Sequence, residues 1–220
     1  MLSSSGGTVC RISLAALVYH SASLQIVRKS SFTAAPWKNG GGTTYEAIRV
    51  PPGGDMFRWR VSVAHIDASG PFSDFAAYNR KMVLLRGAGL TLEFAGGRQR
   101  VLRQIGDLAE FDGAVATHCE LLDGPCVDLN LMVAKSARAE VRVARTLEQL
   151  RVEAAAFEAT LIFSIEQPLM LTSDAGETCT LEPWDLAVLA HCGARVSQPP
   201  DGNLAAPSAV FFATISDRYE

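Results

Sequence analysis

Pro36-Trp37-Lys38-Asn39-Gly40-Gly41-Gly42-Thr43-Thr44-Tyr45-Glu46 is the stretch where polar side chains crowd most closely around bare backbone. Three consecutive glycines permit positive φ and let backbone N–H groups come close to a ligand. No Gly-Lys-Ser/Thr follows at Walker spacing, so this is not a nucleotide phosphate loop; a plain turn is the alternative. Farther on, Arg58-Trp59-Arg60-Val61-Ser62-Val63 alternates in character. As a strand it puts Trp59, Val61 and Val63 on one face and Arg58, Arg60 and Ser62 on the other. On an open sheet those arginines are solvated surface charge; at a barrel mouth, Arg60 is a planar fork for a carboxylate. Val127-Asp128-Leu129-Asn130-Leu131-Met132-Val133 repeats the pattern. Asp128, Asn130 and Met132 share a face, and an acceptor, an amide and a thioether in a row suit the floor of a polar pocket. An exposed edge strand is the competing reading.

Other chemistries lack their residues. The four histidines, His20, His65, His118 and His191, are scattered and form no His-x-His pair. In His118-Cys119 and His191-Cys192, strand neighbours point to opposite faces. No metal and no other cofactor is therefore expected. Without a Gly-x-Ser-x-Gly elbow, no catalytic residue is assigned. Any catalysis would rest on acid–base work, with Asp128 or Glu46 as base and Arg60 as electrostatic partner. The formal charge of −3 gives no positive field for nucleic acid. Five cysteines, at 10, 119, 126, 179 and 192, form no Cys-x-x-Cys. An odd number in a chain this long reads as reduced thiols of a cytoplasmic protein. The apolar run Ile12–Val18 is too short to span a bilayer and lacks a convincing cleavage site, so no membrane partner is expected and residues 1–22 are taken as a poorly ordered extension.

The elements that must position these residues are strands. Leu24–Arg28, Thr44–Val50, Arg58–Ala64, Lys81–Arg86, Leu90–Phe94, Arg98–Gln104, Thr117–Leu122 and Val127–Val133 are short, rich in β-formers and separated by turns such as Pro51-Pro52-Gly53-Gly54. Ala159–Ile165, Leu169–Thr172, Thr178–Glu182, Leu186–Ala190 and Val210–Ile215 repeat the recipe. Asp-Leu-Ala recurs at 107–109 and 185–187, each time at a turn entering a strand, which hints at duplication. One helix is expected over Leu147–Phe157, between the halves. The expectation is an all-β chain of two antiparallel barrel lobes with few short helices, the first over 23–135 and the second over 136–220.

Trp37-Lys38-Asn39-Gly40-Gly41-Gly42-x-Thr44-x-Glu46, Phe57-Arg58-Trp59-Arg60-Val61-Ser62-Val63-Ala64, Gly70-Pro71-Phe72-Ser73 and Asp128-Leu129-Asn130-Leu131-Met132 together resemble the HutD/Ves family, over Leu24 to Ser216. The resemblance implies a bicupin, two jelly-roll lobes in one chain, without the cupin metal set. It implies a ligand pocket lined by Trp37, Lys38, Asn39, Glu46, Arg60, Ser62, Phe72, Ser73, Asp128, Asn130 and Met132. Family members look like accessory proteins of bacterial histidine utilisation, proposed to bind a pathway intermediate, or like stress-linked proteins. Val133-Ala134-Lys135 stands where the family usually continues Thr-Arg-Arg, so a contact from that basic pair is not carried over. The expected function is metal-free binding of a small polar or anionic metabolite, with a carboxylate, formyl or amide group. A metal-independent enzyme and an interaction protein with a vestigial pocket are the alternatives, and a homodimer is left open.

Overall fold

The computed structural model describes residues 22–145, 150–153, 158–200 and 209–217. The first half runs β1 (Ser23–Val27), β2 (Thr33–Pro36), β3 (Gly42–Val50), β4 (Trp59–Ile66), β5 (Gly70–Pro71), β6 (Tyr78–Arg86), β7 (Leu90–Phe94), β8 (Gln99–Leu102), β9 (Leu108–Asp112), β10 (Thr117–Leu121) and β11 (Cys126–Ala134). The second runs β12 (Ala137–Ala144), β13 (Leu150–Val152), β14 (Ala159–Ser164), β15 (Leu169–Ser173), β16 (Thr178–Leu181), β17 (Leu186–Ala190), β18 (Ala194–Ser197) and β19 (Val210–Asp217). A single 3-10 turn, Lys29–Ser31, is the one helical element among the described residues. The helix expected over 147–157 is not there where the chain is described: Leu150–Val152 is a strand paired with β18, and the rest of that span lies outside the described residues.

Four antiparallel sheets make two lobes. In the first, β2-β3-β4-β11-β6-β9 faces β5-β10-β7-β8; in the second, β1-β17-β14-β19-β12 faces β13-β18-β15-β16. Among the described residues no ladder joins the two sheets of a lobe, so each expected barrel is an open, two-sheet jelly roll. The strand at the start of the chain, expected with the first lobe, instead pairs with β17 of the second in the register Ser23↔Ala190 to Val27↔Leu186.

Period-two alternation positions the core. Trp59, Val61, Val63, Leu129, Leu131 and Val133 turn one face of the first lobe's larger sheet towards Leu161, Phe163, Val188, Phe211 and Ala213 of the second. The two large sheets thus pack back to back. The duplicated turn is duplicated in geometry too. The N–H of Gly106 donates to Leu84 O at 2.8 Å and that of Trp184 to Ser164 O at 2.7 Å, both residues at positive φ. Asp107 and Asp185 each accept at Oδ2 from the N–H three residues earlier, at 2.9 and 3.2 Å. The weak sequence repeat marks a real structural repeat.

Candidate functional site

Even-numbered positions of β4, β6 and β11 point into the first lobe, away from the second. Their register sets Arg80, Met132 and Arg60 side by side, then Met82, Asn130 and Ser62, then Leu84, Asp128 and Ala64. On β3 the register shifts between Glu46 and Ile48. This bulge puts Glu46 opposite Ser62 and Arg49 opposite Arg60, so two residues an odd number apart share the inner face. Arg49 donates to the Glu46 carboxylate from Nε at 3.1 and 3.2 Å and from Nη2 at 2.7 Å.

These side chains enclose a cavity of about 470 Å³. All eleven residues expected at the site line it, and Thr44, Arg49, Phe75 and Arg80 join them. Trp37 is held by an Nε1–H bond to Thr44 Oγ1 at 2.8 Å and meets Phe72 edge-on. Arg58, expected on the same face as Arg60, turns instead to the second lobe, where it pairs with Glu158 and, at 2.6 Å, with Asp217.

The triple glycine does not act as an amide cradle. Gly40 N–H bonds Trp37 O at 3.0 Å and Gly41 N–H bonds Asn39 Oδ1 at 3.0 Å, so both donors are spent inside the turn. Gly40 needs its left-handed backbone (φ 71°). Gly42 is required by closeness: a Cβ there would lie 2.2 Å from the His65 carbonyl oxygen.

The electrostatics are strongly positive at the pocket and buried at its floor. The cavity lining holds four cations (Lys38, Arg49, Arg60, Arg80) and two carboxylates (Glu46, Asp128), a formal +2 inside a chain of net −3. Arg80 is 6% exposed, with its guanidinium over the rings of Phe72, Phe75 and Phe111 at 5.0, 5.7 and 5.0 Å. Arg60 lies over Phe57 and the same Phe75 at 5.2 and 5.3 Å. Burial lowers Arg80 from 12.5 to about 10, opposed by nearby Asp128, and it remains a cation at neutral pH. Burial likewise raises Asp128 to about 7, against the pull of Arg80 and a hydrogen bond from Asn130. Arg60 Nε, Arg80 Nε, Asp128 Oδ1 and Asn130 Oδ1 are buried with no hydrogen-bond partner. Such groups are costly unless something arrives to meet them.

Cupins with a His-based centre prompt the question of a metal. Among the described residues no group of three or more His, Cys, Asp or Glu converges. In the pocket, Asp128 faces a guanidinium and Glu46 is taken by Arg49. This donor set does not fit a divalent cation.

Sequence reasoning missed Arg49 and Arg80. Arg80 had a signal: extending the strand from Lys81 back to Tyr78 gives Arg80 the parity of Met82 and Leu84. Arg49 had none, because only the bulge brings it inward.

The sequence pattern of the HutD family matches residues 29–206. The chain is 42% identical over 112 residues to an uncharacterized 21.2 kDa protein in the hutC 3' region of Pseudomonas putida, covering 50% of this chain and 58% of that one. It is 34% identical over 110 residues to protein Ves of Escherichia fergusonii, covering 49% and 57%. The matched stretch thus spans somewhat over half the length of these curated relatives. The solved HutD structure of Pseudomonas fluorescens SBW25, in a formate condition, is similar at 27% identity and TM-score 0.74, covering 89% of this chain and all of that one. A Lactobacillus farciminis oxalate decarboxylase, 10% identical over 89% of this chain and 87% of that one, shares the fold at TM-score 0.62. Among the described residues no helix is long and apolar enough to cross a membrane.

Proposed function

The chain belongs to the HutD family, and we propose that it is a binding protein for a small carboxylate-bearing metabolite, held without metal in the first lobe. The observation that carries this reading is the pair of guanidiniums of half-buried Arg60 and buried Arg80, whose buried Nε–H groups lack partners and face one cavity of formal +2. A carboxylate accepts from such a fork through two parallel bonds and leaves the positive field satisfied. Polar groups around the rim, Lys38, Asn39 and Ser73, suit the ligand's far end. A role in histidine utilisation or stress response, and cytoplasmic residence, belong to the same proposal; the relative named for the hutC 3' region supports the first of these.

The test is calorimetric titration with formate, acetate and larger carboxylates, followed by Arg60→Lys. The ammonium keeps the charge and loses the fork, so affinity should fall roughly ten- to hundredfold. An unchanged affinity would remove Arg60 from the site.

A second reading has one specific support. Asp128, held near 7 by burial, is poised as a general base, so a metal-independent enzyme acting on the same ligand is the alternative. The Glu46 carboxylate is already engaged by Arg49. Conversion of a bound carboxylate on prolonged incubation, lost in Asp128→Asn, would favour this reading.

A further inference from the structure

We propose that the cavity selects a carboxylate carrying a hydrogen-bond donor beside it, such as a hydroxy acid or an N–H-bearing acyl amino acid, over a bare carboxylate. The inference rests on the carboxylate-binding reading above and comes from the balance of unmet atoms. Two are donors, Arg60 Nε and Arg80 Nε; two are acceptors, Asp128 Oδ1 and Asn130 Oδ1. A bare anion answers only the donors and would bring a third acceptor-rich group towards Asp128 and Asn130.

Register separates the two kinds. Arg80 and Arg60 flank Met132, one inner position along β11 from Asn130 and two from Asp128. Inner positions on one strand repeat about every 6.5–7 Å. The arginines therefore leave the backbone at one end of the floor and the unmet oxygens at the other, with Arg80 reaching near enough to Asp128 for their charges to act on each other. Even so, the unmet donors and acceptors do not satisfy one another. Arg80 is wedged among Phe72, Phe75 and Phe111, while Asp128 and Asn130 are 1% and 4% exposed on the central strand of the sheet. Asn130 already donates its amide to Asp128, which leaves its own oxygen for a donor from outside. The acceptor pair is thus a specificity device, because a ligand lacking an O–H or N–H buries two acceptors unmet.

The test uses the intact protein and isosteric probe pairs in calorimetric titration: lactate against 2-methylpropanoate, in which CH3 replaces O–H, and N-acetylglycine against 4-oxopentanoate, in which CH2 replaces N–H. The donor-bearing member should bind at least about tenfold more tightly in each pair. Asp128→Leu and Asn130→Leu, each first checked for cooperative unfolding, should shrink that preference, while Arg80→Met should weaken both members alike. Equal affinity within both pairs overturns the inference and leaves the carboxylate reading standing, since Asp128 would then be carrying the proton itself. Failure of all four probes to bind overturns both.

Discussion

At the scale of single residues, Asp128 ties the site to pH. Its carboxyl is raised from 3.8 to about 7 by burial. Between those values the folded chain holds a proton that the unfolded chain has released. Its contribution to stability is therefore fully present below pH 4 and is lost as pH rises towards 7, at up to about 1.4 kcal/mol per pH unit. Asp128→Asn should flatten this slope and unfold no more easily than the parent at pH 7.5. Melting temperatures of both proteins from pH 5 to 8 check it, and parallel curves would show that Asp128 does not titrate there. Gly42→Ala is expected to cost about 2 kcal/mol or more, because its methyl would meet the His65 carbonyl and the Trp37 ring; urea unfolding measures it. Legibility at this scale was uneven. Arg60, Asp128 and Asn130 stood out because strand parity sorted them from apolar neighbours. Arg80 did not, since in Arg80-Lys81 two cations sit side by side and only a strand that starts as early as Tyr78 gives Arg80 the inward parity of Met82. Lys81 points elsewhere and pairs with Glu110.

At the scale of elements, β4 and β11 carry two functions at once. Their even positions build the pocket and their odd positions build the seam between lobes. Pairs of short β-forming runs were readable in sequence, as was the double burial implied by Asp128 facing one way and Leu129 the other. The bulge in β3, the edge strands β2 and β12 and the internal strand β18 were not readable, because their composition resembles loops and pairing alone defines them. Leu131, fully buried in the seam, tests the arrangement. Leu131→Ala should destabilise by about 2–5 kcal/mol in urea unfolding. Because its side chain faces away from the pocket, ligand affinity should hold within about threefold at temperatures where the variant stays folded. A selective loss of affinity would mean that the two faces of the strand are coupled.

At the scale of the whole molecule, duplication has produced two lobes of unequal chemistry. Where the first lobe's inner face carries arginines, Asp128 and Asn130, the second is filled by Ile162, Leu189, Val210 and Phe212. The conserved-looking part of the repeat was the turn, not the pocket, which is why sequence hinted at two lobes but not at their asymmetry. The shared seam of Trp59, Leu131, Phe163 and Phe211 makes each lobe the other's solvent shield. One transition is therefore expected in denaturant, with tryptophan fluorescence and far-UV circular dichroism superimposing. Two separated transitions would show that the lobes unfold independently.

The pairing of β1 with β17 also sets an order of events at the ribosome. The opening strand emerges first, yet its partner is synthesised some 160 residues later, and Arg28 must wait as long for Asp185. During that interval Leu24 and Ile26 have no sheet to join, while the first lobe's own strands are already present. The nascent chain thus holds every strand of its pocket before it can close its far edge. The final capture of β1 across so long a loop is the step most exposed to delay, mispairing and chaperone attention.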